Sequence, residues 1–190
     1  MKVEPFELPE LTGPRLHLRA WRASDVPAVQ EASKDHYIPT ITTVPTTIHP
    51  GEALAFVERQ SARIRDRSAY VFAIADDSDS AVGHIGLFPL STAGARASIG
   101  YWVLPSQRRR GYAAEALEIL TAWARELDAL DRLELYVEPW NTGSWRAAES
   151  AGYEREGLLR SWERIGGEPR DMFMYARLTT ARQSAGSPLR

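Results

Sequence analysis

The run Ile99-Gly100-Tyr101-Trp102-Val103-Leu104-Pro105-Ser106-Gln107-Arg108-Arg109-Arg110-Gly111-Tyr112-Ala113 sets three consecutive arginines and a glycine between a β-rich segment and the start of an apolar helix. That is the order in which a chain presents backbone N–H groups to a phosphate. Gly111 lets the backbone turn sharply and approach a ligand closely. Small Ala113 opens a helix whose unpaired amides and dipole favour an anion. A charge-assisted arginine contact to phosphate is worth about 1.5–3 kcal/mol when partly desolvated and much less in full water. These residues predict a site for a di- or triphosphorylated ligand. The competing reading is a solvated basic turn that only starts a core helix.

Neither of the two common phosphate loops is present: there is no Gly-Lys-Ser/Thr preceded by the P-loop glycine, and no triple-glycine dinucleotide fingerprint. Nucleotide hydrolysis is therefore poorly supported. A second segment agrees with the first. Leu133-Glu134-Leu135-Tyr136-Val137 alternates as a strand and Pro139 stops its ladder. Asn141 or Thr142 can cap a following helix, and Gly152 closes it. Tyr153 and Glu156-Gly157-Leu158-Leu159-Arg160 come next.

Arg108-x-x-Gly111-x-Ala113 after an Ile-Gly-Tyr-Trp strand resembles the acyl-CoA pyrophosphate loop of the GNAT acetyltransferase superfamily. Asn141-x-x-Ser144, Gly152-Tyr153 and Glu156-Gly157-x-x-Arg160 are similar to the Rim-type (RimJ/RimL-like) branch, named for N-terminal acetylation of ribosomal proteins. The resemblance runs over residues 14–178. It implies an N-acetyltransferase that moves an acetyl group from acetyl-CoA to a primary amine, on a protein N-terminus or a small molecule, by direct attack in a ternary complex. Succinyl-CoA as donor and a non-catalytic CoA-binding sensor stay open as alternatives. The cofactor-binding residues it implies are Trp102, Val103, Arg108, Arg109, Arg110, Gly111, Tyr112, Ala113, Asn141 and Ser144. In that scheme Val103 N–H meets the oxyanion and Asn141 holds the pantetheine amide. Ser144, the catalytic residue, protonates the departing thiolate. Asn141 reads equally as a helix cap and Ser144 as a first-turn residue. No metal is implied.

The base is where the chain departs from that pattern. Ser98 stands where Rim-type proteins often carry glutamate, leaving Glu138, His84 and Glu52 unranked. An acceptor with a low pKa needs little help: an α-amino group titrates near 7.7–8.0 against about 10.4 for lysine. His84, in a strand, also reads as a satisfied half-buried histidine. His36 and Tyr37 could touch an acceptor or be plain surface. Trp102 and Trp123 read as packing; Trp140 and Trp145, which flank the Asn/Ser pair, could line the acyl or acceptor pocket but are expected to pack.

The elements that must position these groups belong to one domain over residues 1–178, followed by a tail at 179–190 expected to be disordered. The chain has 190 residues, 44% hydrophobic and 25% charged, which is ordinary globular composition. A net charge of −2 makes the arginine turn a local feature and excludes the broad positive footprint of a nucleic-acid binder. With no cysteine, disulfides, thiolate metal sites and acyl-cysteine chemistry are excluded. No apolar run reaches a membrane span, and Met1 to Leu11 does not read as a signal peptide, so a cytoplasmic enzyme is expected. The implied partner is an amine acceptor, with a homodimer open.

The pattern predicts an α/β (α+β), GNAT-like fold: a mixed, mostly antiparallel sheet of about seven strands flanked by four helices in the order βααβββαβαββ. Arg15 to Ala20 alternates as the first strand, and Ser24 is expected to cap the first helix. Residues 35–50, rich in proline and threonine, read as a long loop, and the resemblance implies that it helps wall the acceptor site. A turn is expected at Ala93-Gly94. Ala113, Leu117, Leu120, Ala124 and Leu127 mark one face of a long helix that would make its flanking strands parallel neighbours. The resemblance implies that those two strands splay apart.

Overall fold

A computed structural model describes residues 8–90, 96–127 and 130–179. The elements are β1 (Leu11–Thr12), β2 (Leu16–Arg19), α1 (Val26–Ala32), α2 (Ile38–Ile41), α3 (Pro50–Arg65), β3 (Tyr70–Asp76), β4 (Ala81–Pro89) and β5 (Arg96–Val103). Then follow α4 (Tyr112–Ala124), β6 (Arg132–Val137), α5 (Thr142–Ser150), β7 (Glu154–Ile165) and β8 (Glu168–Leu178). The eight strands form one sheet in the order β1-β2-β3-β4-β5-β6-β8-β7. Every neighbouring pair is antiparallel except β5 and β6. Among the described residues no helix is long and apolar enough to cross a membrane.

The expected order holds with two additions, giving eight strands and five helices among the described residues instead of about seven and four. β1 pairs only two residues, too few for periodicity to show. α2 lies inside the expected loop. Its single turn starts because the Asp35 carboxylate accepts the Tyr37 and Ile38 amides at 2.9 Å each, with Pro39 tolerated at the helix start. Ser24 is not the cap of the first helix; Asp25 closes the preceding turn by accepting the Arg22 amide at 2.9 Å. Thr179, assigned to the tail, is buried and donates its amide to Asp131 O at 3.0 Å, so it belongs to the folded domain. The turn expected at Ala93-Gly94, residues 1–7 and the tail from 180 lie outside the described residues.

Alternation along β5 divides the core. Ala97 and Ile99 face the layer of α4 and α5, where Leu117, Leu120, Ala124 and Ala148 are buried. Trp102 faces α1 and α3 and packs with Trp21, Val29, Ala53 and Phe56. The expected stripe of the long helix is thus confirmed through Ala124, and Leu127 packs on the core just past the helix end.

β5 and β6 pair only at Arg96↔Arg132, Ala97↔Leu133 and Ser98↔Glu134. That closed end is pinned by charge: Glu134 accepts from Arg96 at 2.7 and 2.9 Å and from Arg132 at 2.8 Å. Burial alone would raise the Glu134 pKa, but the Arg96, Tyr136 and Arg132 hydrogen bonds outweigh it and bring it down to about 2. Beyond Ser98 the strands part. On its other edge β5 stays paired with β4 as far as Val103, and Leu104 N donates to Val82 O at 2.9 Å. By the alternation of an antiparallel ladder, the Val103 N–H therefore points away from β4 and into the gap.

Candidate active site

The basic turn after β5 ends in two left-handed residues, Arg109 (φ 66°) and Gly111 (φ 80°). Gly111 is the N-cap of α4 and brings no side-chain cap, so the first amides of that helix are left for something else. The described hydrogen bonds use none of the amides from Arg109 to Ala114. A left-handed turn followed by a helix start is a concave row of N–H donors suited to an anion. The turn is braced from behind. Buried Glu115 accepts the Arg15 and Leu16 amides at 2.8 and 3.1 Å and the Arg15 Nε at 2.8 Å, while Arg15 Nη1 donates to Arg110 O at 2.9 Å.

A cavity of about 500 Å³ opens over this turn. Of the residues expected to bind cofactor, Trp102, Val103, Arg108, Arg109, Gly111, Tyr112, Ala113, Asn141 and Ser144 line it, and Arg110 does not. Arg108 is already engaged: Nη2 donates to Asp35 at 2.8 Å and Nε to Val103 O at 3.3 Å, tying the turn to the segment before α2. His36 and Tyr37 also line the cavity.

The Asn141 side chain caps α5, accepting the Ser144 amide at 3.2 Å, and Asn141 lines the cavity. Ser144 Oγ lies 2.8 Å from the Tyr101 hydroxyl, which also donates to Ser144 O at 3.0 Å. Burial pushes the Tyr101 phenol up to about 12, with the Ser144 hydrogen bond acting the other way, so Tyr101 stays protonated at neutral pH.

A second cavity, of about 400 Å³, lies on the α3 side of the sheet. The two cavities share Tyr37, Ile41, Tyr101, Trp102, Asn141 and Ser144, which form the partition between them where β5 and β6 diverge. Glu138, just past β6, is buried, lines the second cavity and accepts from the hydroxyl of the partition residue Tyr37 at 2.5 Å. Burial and then the Glu138 carboxylate hold the Tyr37 phenol well above its usual range. Arg170 Nε stands 3.8 Å from the other Glu138 oxygen.

His84 lines the second cavity as a buried histidine. Its Nδ1 accepts from Trp21 Nε1 at 3.1 Å and its ring stacks on Trp102 at 5.9 Å. Burial, with Arg63 adding to it, pushes its pKa down to about 3, leaving a neutral imidazole and a weak base. Glu52 lines neither cavity and accepts from Thr47 Oγ1 on the surface at 3.0 Å. Ser98 lines the second cavity. Trp140, expected to pack, is instead 58% exposed at the rim of the first cavity, edge-on to Tyr37 at 4.8 Å. Trp145 packs on the core as expected.

Sequence reasoning missed three participants. The alternation of β5 puts Tyr101 on the face of Ile99, yet nothing in the sequence says that α5 lies over it. Glu115 reads only as an acidic first-turn residue, a common helix feature. Arg63 reads as a surface charge near the end of α3, and it lines the second cavity.

Comparison with known proteins fits this geometry. The family profile described as the acetyltransferase (GNAT) domain matches residues 15–154. The uncharacterized N-acetyltransferase p20 of Bacillus licheniformis is 33% identical over 105 residues, which cover 55% of this chain and 59% of that protein. The match thus spans little more than half of that relative's length. Mycobacterium smegmatis RimJ, solved with CoA-disulfide, superposes with a TM-score of 0.78 at 25% identity, covering 93% of this chain and 90% of that one. RimL, a ribosomal L7/L12 alpha-N-protein acetyltransferase solved with coenzyme A, shares the fold with a TM-score of 0.74 at 20% identity, covering 90% and 98%.

Proposed function

The chain belongs to the GNAT acetyltransferase family, on its RimJ/RimL-like branch, and we propose that it is an acyl-CoA-dependent N-acyltransferase moving acetyl from acetyl-CoA to a primary amine by direct attack. One observation carries this reading: two cavities, one lined by the basic turn whose amides the described hydrogen bonds leave unused, meet at a partition that contains Ser144. A donor on one side and an acceptor on the other would meet there, which is the proximity that a direct transfer requires.

The residues present suit an acyl-CoA. Amides from Arg109 to Ala114 and the exposed side chain of Arg109 would take the pyrophosphate, and the gap between β5 and β6 has room for an extended arm. Once bound, the thioester supplies an activated acyl carbon. Val103 N–H, turned into the gap by the ladder, is the donor aimed where negative charge would develop on the carbonyl oxygen. Ser144 Oγ, its position fixed by Tyr101, would deliver a proton to the leaving sulfur. A thiol with pKa near 8.5 leaves as thiolate fairly easily, so this proton only assists.

Glu138 is the group best placed to receive the proton of the attacking amine. Of the two carboxylate candidates it is the one that lines the second cavity, and Tyr37 of the partition orients it through a short hydrogen bond. RimL acts on a ribosomal protein N-terminus by its own description. An α-amine acceptor of that kind fits here because it is already partly neutral near pH 7.

Calorimetric titration with acetyl-CoA at low and high salt tests the donor side, and thiol release on adding a panel of amines tests the transfer. Micromolar binding that weakens with salt, followed by amine-dependent thiol release, is the expected outcome. Absence of acetyl-CoA binding would sink the reading.

A further inference from the structure

The second cavity carries opposite charges at its two ends. At one end, next to the partition residue Tyr37, are Glu138, which accepts its hydroxyl, and Glu163. At the far end is Arg63, half-buried on α3, with its guanidinium over the Phe88 ring at 5.8 Å. Its described hydrogen bond goes to neutral, fully buried Gln60 at 3.2 Å, and among the described residues no carboxylate lies within ion-pair distance of it. The carboxylates nearby are engaged or remote from the cavity. Glu134, level with Ser98 on the next strand, is held by Arg96, Arg132 and Tyr136. Asp66 is at the solvent-exposed end of α3 and does not line the cavity. Ser98 lines this end and brings no charge.

Asp66, which Arg63 helps to hold below the usual carboxylate range, lies outside the cavity, so on its cavity side this half-buried guanidinium can take an anionic ligand group. Between the two ends Gly86 and Gly100 face each other across β4 and β5, and Gly100 lines the cavity. The Phe88 ring lies against both glycines, which leave it the room a side chain would take, and so forms the floor that carries Arg63 above it.

Resting on the N-acyltransferase reading, we propose that the acceptor is an amine carrying a carboxylate, with the amine at Glu138 and the carboxylate on Arg63. An acidic side chain in the first residues of a peptide and a small ω-amino acid each carry both groups.

Matched acceptors test this. Thiol release from acetyl-CoA is compared for a Ser-Asp-Ala-Ala amide peptide and its Ser-Asn counterpart, and for 6-aminohexanoate and its amide. The carboxylate member of at least one pair should be preferred about tenfold or more in kcat/KM, mainly through KM, and which pair discriminates identifies the source. Arg63→Gln should bring that ratio close to one, and Arg63→Lys should keep part of it. A ratio near one for both pairs in the unaltered protein, or a preference that survives Arg63→Gln, overturns the proposal. Calorimetry of the same acceptors with the CoA-saturated protein separates the two levels. Discrimination in binding with no thiol release from any amine would overturn the transferase and keep the anionic subsite. Thiol release without discrimination would do the reverse.

Discussion

The Tyr101 hydroxyl and Ser144 Oγ are 2.8 Å apart, and Tyr101 has a second acceptor in Ser144 O at 3.0 Å. Two proton arrangements follow. With the Tyr101 proton on the carbonyl, Ser144 donates to Tyr101; with it on Oγ, the serine proton is free to point into the cavity. Rotation of two hydroxyls interconverts them. Ser144→Ala is expected to lower kcat roughly 10- to 100-fold, and Tyr101→Phe to lower it by a smaller factor. Because both act through one hydrogen-bond pair, the double variant should be no slower than Ser144→Ala within about threefold. Multiplicative losses in single-turnover thiol release would show that Tyr101 acts elsewhere.

Gly111→Ala probes the basic turn. A side chain at φ 80° costs about 1–2 kcal/mol, and the turn must shift to relieve it. Acetyl-CoA affinity is expected to fall about tenfold, while the melting temperature drops by only a few degrees. Unchanged affinity in calorimetry would reduce the turn to a helix start.

Glu138→Gln removes the proposed proton acceptor and keeps a hydrogen-bond partner for Tyr37. Turnover of a lysine-type amine should fall about 100-fold or more, and that of an α-amine less, since more of the latter is neutral at pH 7. Acetyl-CoA binding should be untouched. Equal, small losses for both amines would remove Glu138 from the proton path.

Acid sensitivity has two separable parts. His84 falls from 6.5 to about 3 in the fold, so the unfolded chain binds that proton first, and the stability involved is full above pH 6.5 and lost as pH falls toward 3. Glu134 falls from 4.5 to about 2, and its contribution is lost between those values. Each slope is at most about 1.4 kcal/mol per pH unit. In urea unfolding across pH, His84→Gln should flatten the profile above pH 4.5 and Glu134→Gln below it. Glu134→Gln should also cost about 2 kcal/mol at neutral pH, because Arg96 and Arg132 lose their shared carboxylate while Arg96 stays half-exposed to water. Profiles parallel to that of the unaltered protein would show that neither group titrates as described.

Local chemistry was legible in the chain. Gly111 before an apolar helix announces a left-handed helix start with free amides, Asn141 announces a cap, and the spacing of Leu117, Leu120 and Ala124 announces a buried stripe. Each follows from backbone preference or periodicity within a few residues, so no distant partner is needed to read it. β1 and α2 escaped because two paired residues and one turn are shorter than any period. Thr179 escaped because its burial depends on Asp131 and Leu130, far away in the sequence.

The sequence by itself therefore determined the order of the elements, the phosphate-type turn and the family likeness. Only the tertiary structure decided which groups share a cavity. Ser144 meets Tyr101 across 43 positions and Tyr37 meets Glu138 across 101, while Arg63 lines the same cavity as Glu138. Those encounters are set by how the helix layers pack on the two faces of one sheet, a long-range condition that no local preference encodes.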